Sequence, residues 1–199
     1  MKIAVCVKRV PDMETRFKIA SDARSVDETG LKFDINDFDA WAVEAALQLK
    51  EKAGQGEVVV MSLGPDTVQE TIRKALSMGA DRGVQLKADR VPFDGLAIAR
   101  ALAAELKDGG YDLVLFGKKS IDSSNEMVGP MVAELLGLPC VTAVHKLDIA
   151  DGRGTAQRAI EGGAEVVTFP LPAVLTVDEG LNQARYPSLK GIMAAKKKP

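Results

Sequence analysis

Apolar positions along the 199-residue chain follow two alternating patterns. Short runs of strand length that are apolar throughout occur at 3–7, 58–61 and 113–116, and residues 84–86, which include Gln85, form a weaker strand-like run. Between them, segments 41–49, 68–76, 96–106 and 127–136 repeat apolar residues every three to four positions, which predicts amphipathic helices. Fully apolar strands separated by such helices indicate a mostly parallel sheet covered on both faces. Right-handed crossovers then give an α/β fold with an open, doubly wound sheet.

The pattern changes after residue 139. Four strand-like segments, 141–147, 155–160, 166–169 and 173–177, follow one another with little helix between them. We expect some of these added strands to extend the sheet and others to pair as hairpins. Residues 21–35 are polar around Gly30 and predict a hairpin insertion, whereas residues 184–199 show no periodicity strong enough to assign an element.

Composition narrows the classes of function. The chain is 46% hydrophobic, enough for a sizeable core, and its formal charge of -2 gives no field for nucleic-acid binding. Neither Cys6 nor Cys140 has a second Cys or His at metal-ligand spacing, so we expect no disulfide, no metal site and a reducing, intracellular compartment. No apolar stretch approaches the roughly 18 to 20 residues of a membrane span, so we expect no stable membrane insertion.

The best candidate for a binding site is the loop after the strand at 113–116. It begins with Gly117, which lets the backbone approach a ligand, and Ser123 with Glu126 predicts a capping box that opens the fourth helix. Free N–H groups and hydroxyls at a helix N-terminus form a phosphate site, although a solvated loop with an ordinary N-cap explains the same residues. Pro130 requires the helix to bend or tighten near its start.

Two further segments point to the same rim, at 36–39 and 62–65, although as capping and turn residues they need no ligand. The chain has no GxGxxG fingerprint and no Walker motif. Its only histidine, His145, lies in a strand-like run and is predicted to be a hydrogen-bonded structural residue. No serine elbow is present either. The sequence therefore favours a binding protein over an enzyme.

Near the end of the chain, residues 181–189 place Tyr186 and Leu189 among turn formers, as protein-docking loops do. A buried return of the chain over the core is the alternative. The lysines at 196–198 have no interleaved aromatic residues, which favours a solvated segment over a nucleic-acid or membrane patch.

Taken together, these segments resemble the β subunit of electron transfer flavoproteins along nearly the whole chain. The matching motifs are Val-Lys-Arg-Val-Pro-Asp at 7–12, Asn-Asp-Phe-Asp at 36–39, Gly-Lys-Lys-Ser-Ile-Asp at 117–122, Glu-Gly-Gly-Ala-Glu at 161–165, Leu-Pro-Ala-Val at 171–174 and Leu-Asn-Gln-Ala-Arg-Tyr-Pro-Ser-Leu at 181–189. The order of the last three is quite specific.

The resemblance implies an electron-carrier subunit without a catalytic centre of its own. It implies a heterodimer with an α subunit that carries the redox-active FAD, while this chain holds a structural AMP in a Rossmann-like, adenine-nucleotide-binding domain over residues 1–180. By family pattern the nucleotide site maps to Cys6, Asn36, Asp37, Phe38, Asp39, Leu63, Gly117, Asp122, Ser123, Ser124, Asn125, Glu126, Met127 and Val128.

The resemblance also implies docking surfaces. Residues 181–199 would form a recognition loop and a basic segment, in which Leu189, with Tyr186 and Arg185, docks flavin dehydrogenases. Glu165 would contact the flavin domain of the α subunit. Such a protein is expected in the cytoplasm of a bacterium or in the mitochondrial matrix of a eukaryote.

Three departures from the family pattern matter. Met127 and Val128 replace a common Gln or Thr, so phosphate binding would depend on backbone N–H groups and on Ser123 or Ser124. Val-Gly-Pro at 128–130 is similar to family members that hold a second, redox-active FAD and bifurcate electrons, so both AMP and FAD stay open. Ala184 and Ala194 replace a common Pro and Lys. Family members also continue beyond residue 199 with an arm that wraps the α subunit, so either this chain is a fragment or its dimer interface is reduced.

Overall fold

A computed structural model describes all residues, 1–199. Its ten strands are β1 (Lys2–Cys6), β2 (Arg9–Pro11), β3 (Phe33–Ile35), β4 (Glu57–Gly64), β5 (Arg82–Lys87), β6 (Leu113–Gly117), β7 (Cys140–Ala150), β8 (Arg153–Ile160), β9 (Gly163–Pro170) and β10 (Ala173–Val177). Its five helices are α1 (Asp37–Ala53), α2 (Val68–Met78), α3 (Gly95–Leu106), α4 (Val128–Leu136) and α5 (Leu189–Ala195).

Eight strands form one sheet in the order β5-β4-β1-β6-β10-β7-β8-β9. All neighbours from β5 to β7 are parallel, and β8 and β9 add antiparallel strands at one end. The α/β class, the mostly parallel sheet and the C-terminal hairpins predicted from the sequence are therefore confirmed. The position of β10 differs from chain order, because this last strand lies between β6 and β7.

The two faces of the sheet bury two apolar clusters, as the period of two in a strand requires. On one face Ile3 and Val5 of β1 pack with α1, α2 and α5. On the other face Ala4 and Cys6 of the same strand pack with α3 and α4. Both faces are covered, which explains why the central strands are apolar throughout.

The predicted start of the fourth helix was wrong. α4 begins at Val128, with Met127 as its N-cap residue, so Ser123 and Glu126 do not form a capping box that opens it. Pro130 explains the late start, because the third helical position is one of the few whose N–H has no partner within the helix. The loop at the end of β6 is consequently longer than the sequence indicated.

Two other boundaries also differ from expectation. The antiparallel pair in the N-terminal excursion is β2 with β3, and the segment between them, 12–32, adds only an isolated bridge from Ile19 to Val26. The C-terminal segment, for which no element was assigned, contains α5. No helix combines the length and the apolarity needed to cross a membrane.

Candidate functional site

The site lies where β1, β4 and β6 end, at one edge of the sheet. Cys6 of β1 is in register with Met61 of β4 and with Phe116 of β6, so the residues that follow these strands are neighbours. Ligands of open α/β sheets bind at such carboxyl ends. The structure thus brings together the predicted residues Cys6, Leu63 and Gly117 at this edge, which we call the rim.

Asn36 ties the loop after β6 to the start of α1. Its side chain is 1% exposed and makes no capping bond to its own helix. Instead, Nδ2 donates to the Lys119 carbonyl at 2.8 Å, and Oδ1 accepts from the Ile121 N–H at 3.0 Å. The capping role considered from the sequence is therefore replaced by a long-range contact that fixes the course of the loop.

Asp39 joins the ends of two strands. Its carboxylate accepts the Lys8 N–H at 2.8 Å with Oδ2 and the Gly117 N–H at 3.0 Å with Oδ1. Burial raises the pKa of Asp39 to about 7, against the lowering effect of the Lys8 N–H, the nearby Asn36 side chain and the Gly117 N–H. Burial, and secondarily the Asp39 charge, also raises the pKa of the Cys6 thiol, so Cys6 stays protonated and unreactive.

Lys8 holds the next part of the loop from the side of β1. Its ammonium group donates to both carboxylate oxygens of Asp122, at 2.7 and 2.8 Å, and to the hydroxyl of Ser120 at 3.2 Å. Burial acts to raise the pKa of Asp122, but the hydrogen bonds from Lys8 and Ser120 outweigh it and hold that pKa below its usual value. The Asp122 side chain is therefore already used inside the chain.

The segment from Asn125 to Met127 leaves its backbone donors free, whereas the Ser124 N–H before it donates to the Ser120 carbonyl at 2.9 Å. The N–H groups of Asn125, Glu126 and Met127 donate to no group of the chain. Ser124 and Glu126 have left-handed backbones, with φ of 52° and 53°, and they alternate with residues of negative φ. Alternation of this kind turns successive N–H groups toward one side, which is the geometry of an anion-binding concavity.

Glycines let the backbone segments of the rim approach closely. A Cβ at Gly117 would overlap Asp39 Oδ1 and the Phe38 backbone. A Cβ at Gly129, in the first turn of α4, would lie 2.6 Å from Thr176 Cγ2 of β10. Both glycines are therefore required by close approach rather than by a positive φ.

Two parts of the rim were not predicted from the sequence. The first is Lys8, in the Val-Lys-Arg-Val-Pro-Asp motif at 7–12. Because it lies two residues after the end of β1, its place in the chain could have indicated that it belongs to the rim. The second is the segment at 91–95, which leads into α3. Val91 lies against Gly64 at the end of β4, and a Cβ at Gly95 would be 2.9 Å from Met127 Sδ, so this segment borders the rim. Phe93, in the same loop, is 99% exposed.

The remaining predicted rim residues are more open. Asp37 and Asn125 are exposed and have no side-chain hydrogen bond in the chain. Phe38 packs edge-on against Trp41, with ring centroids 5.0 Å apart. No group of three or more His, Cys, Asp or Glu side chains could hold a metal ion. The rim therefore offers backbone donors and small polar groups to a ligand.

His145 lies away from the rim. It lines a cavity of about 440 Å³ between α1 and β7, and its Nδ1 is buried without a hydrogen-bond partner. The prediction of a hydrogen-bonded histidine is therefore not met at that atom. No rim residue lines this cavity.

The predicted docking residues fall into two groups. Tyr186 and Leu189 are exposed by 92% and 82%, and Ile192 and Met193 of α5 extend this apolar surface. Glu165 lies on β9, at the far end of the sheet, where it pairs with Arg158 of β8. Arg185 is bound to two carboxylates of α1.

Comparison with known proteins gives consistent matches. The family model described as "Electron transfer flavoprotein domain" matches residues 24–199. The electron transfer flavoprotein subunit beta of Syntrophomonas wolfei is 42% identical over 199 residues, which covers 100% of this chain and 78% of that protein. The proteins of the same name from Bacillus subtilis and Homo sapiens are 39% and 40% identical over 201 residues, covering 100% of this chain and 77% and 79% of theirs.

Proposed function

The chain belongs to the electron transfer flavoprotein family, as a β subunit, and from this premise we propose that its rim holds a structural AMP. The observation that supports the proposal best is the loop at 117–128. Asn36, Asp39 and Lys8 fix its first half, while the second half has three N–H groups without a partner and alternating φ signs, the backbone pattern of an anion-binding concavity. Free backbone donors beside a helix N-terminus are what a phosphate group needs.

The residues present fit the parts of a nucleotide. The N–H groups of Asn125, Glu126 and Met127, with the hydroxyls of Ser123 and Ser124, would bind the phosphate, since Met127 and Val128 have no polar side-chain atoms. The strand ends at Cys6 and Leu63, and the Phe38 region, would receive the nucleoside. All of these groups bind or orient the ligand.

We further propose that the chain pairs with an α subunit, in which FAD would supply the redox chemistry. In that complex Glu165 would lie against the flavin domain. Tyr186 and Leu189 would insert into an apolar site on a flavin dehydrogenase, because two large apolar side chains at this exposure are unfavourable in water unless a partner covers them.

A second candidate has FAD at the rim, as in electron-bifurcating members of the family. Val-Gly-Pro at 128–130 favours it. The segment at 91–95, which leads into α3, has Gly95 beside Met127 and leaves Phe93 uncovered. A dinucleotide extends further from its phosphates than AMP does and would use this additional wall. In that case the nucleotide of the β subunit would itself exchange electrons.

The experiment is to produce the chain together with the α subunit from the same organism, denature the complex and identify the released nucleotides by mass. One FAD and one AMP per complex are expected. Two FAD without AMP would replace AMP with the second candidate. FAD alone would refute nucleotide binding at the rim.

A further inference from the structure

Arg185 binds two carboxylates of α1 at once. Its Nε and Nη2 donate to Glu44 at 2.7 and 3.0 Å, and Nη1 and Nη2 donate to Glu51 at 2.6 and 3.0 Å. The Arg185 backbone N–H also donates to Glu44, at 3.3 Å. A guanidinium has five N–H bonds, and four are used here. It therefore has no bidentate face left for a carboxylate on another protein.

Glu44 is the buried member of this cluster. Its side chain is 5% exposed, whereas that of Glu51 is 56% exposed. A charge at that depth is costly unless it is paired, and Arg185 is its only cationic partner. The pairing works in both directions: Arg185 neutralises Glu44, and Glu44 holds the backbone of the loop against the middle of α1.

The loop around Arg185 is fixed at further points. Asn182 Nδ2 donates to the Trp41 carbonyl of α1 at 2.9 Å, and Leu181 and Ala184 pack against the apolar cluster on this face. At the other end Ser188 caps α5, its hydroxyl accepting the Gly191 N–H at 3.0 Å. The segment at 181–188 is therefore bound to α1 on one side, while Tyr186 is exposed to solvent.

We propose that Arg185 is a positioning residue: through Glu44 and Glu51 it holds segment 181–188 in the conformation that docks a dehydrogenase. This inference rests on the proposed docking role of Tyr186 and Leu189. Binding by a disordered loop must first lose conformational entropy, and a loop that is already ordered avoids that cost. Arg185 thus contributes to docking without contact to the partner.

The test uses the complex with the α subunit and a purified flavin dehydrogenase that reduces the unchanged complex. Glu44→Gln is the central variant, because a side chain this buried cannot touch a docked protein. We expect faster hydrogen exchange of the amides at 181–188 and an apparent KM for the dehydrogenase that rises about tenfold, with kcat nearly unchanged. Glu70→Gln, at an exposed α2 glutamate without an ion pair, is the matched control.

Arg185→Lys provides a second variant, in case Glu44→Gln fails to fold. It keeps the positive charge but loses the planar fork that bridges two carboxylates. The same rise in KM and the same faster exchange are expected. A KM equal to that of the unchanged complex would instead overturn the positioning role, and so would unchanged exchange at 181–188.

Leu189→Ala separates this inference from the proposed function. A raised KM in Leu189→Ala with an unchanged KM in Glu44→Gln would refute positioning and leave docking in place. An unchanged KM in Leu189→Ala would refute docking by this surface, and positioning with it. In the expected result both variants raise KM, and only Glu44→Gln accelerates exchange within 181–188.

Discussion

Replacing Asn36 with Ala tests whether one buried amide organises the rim. The change removes two hydrogen bonds, to the Lys119 carbonyl and the Ile121 N–H, each with a net contribution of about 1 kcal/mol. Both backbone partners are half-buried, so water replaces the lost contacts only in part. We therefore expect a loss of about 2 to 3 kcal/mol of stability. For a chain of this size that corresponds to a fall in Tm of roughly 4 to 12 °C.

The assay measures thermal unfolding and nucleotide content on the same preparation of the complex with the α subunit. In Asn36→Ala, Tm should fall even with AMP added in excess, and the purified complex should contain less than one AMP, because the anchored half of the loop is released. Asn125→Ala is the matched comparison: this exposed side chain has no hydrogen bond in the chain, so with excess AMP its Tm should stay within about 2 °C of the original. Full AMP content and an unchanged Tm in Asn36→Ala would refute this account of the rim.

Three further predictions concern the same rim. The folded pKa of Asp39 is about 7, above its ordinary value of 3.8, so the folded state binds this proton more tightly than the unfolded state does. The free energy of unfolding should therefore fall by up to about 4 kcal/mol as pH rises from 4 to 7. Urea titrations should show this fall in the original protein and a flatter profile in Asp39→Asn. Gly117→Ala should lower the free energy of unfolding by about 1 to 3 kcal/mol and lower the AMP content, because the added Cβ overlaps Asp39. Gly163→Ala, where nothing lies within 4 Å of the added Cβ, should leave stability almost unchanged, and equal effects in the two variants would argue against the steric explanation. Lys8→Met should lower the affinity for AMP, measured by calorimetry, while changing stability by less than about 1 kcal/mol, since the ion pair between Lys8 and Asp122 is partly exposed. An unchanged affinity would show that AMP binding does not need the contacts of Lys8 with the loop.

Secondary structure was predictable where periodicity was long and regular. The central strands and α1 to α3 were found because each buries a continuous set of apolar residues. α5 was missed because its seven residues carry too few turns for a periodic signal, and its position depends on α2. At Gly191 the two helices approach so closely that a Cβ would overlap the Ser77 carbonyl, and no local pattern encodes such a contact.

The location of the site could be predicted from the sequence, but the hydrogen bonds within it could not. The rim follows from the rule that parallel strands end at one edge. Asn36 was considered as a cap because a cap needs only local sequence, whereas its partners are more than 80 residues away. The start of α4 was misplaced for a similar reason: Ser123 with Glu126 satisfied the local pattern of a capping box, but Lys8 and the loop geometry use that segment differently.

The place of β10 between β6 and β7 has a consequence for biosynthesis. β1, β4, β5 and β6 leave the ribosome early and can pair with one another, so every strand that carries the rim is assembled within the first 117 residues. The second partner of β6 is β10, some 60 residues downstream, so the outer edge of β6 stays unpaired and apolar until residues 173–177 have been synthesised. Pairing two strands this far apart in sequence is slow compared with forming a hairpin. Nascent chains that stall between β9 and β10 should therefore be the ones that aggregate or recruit chaperones, through the exposed edge of β6.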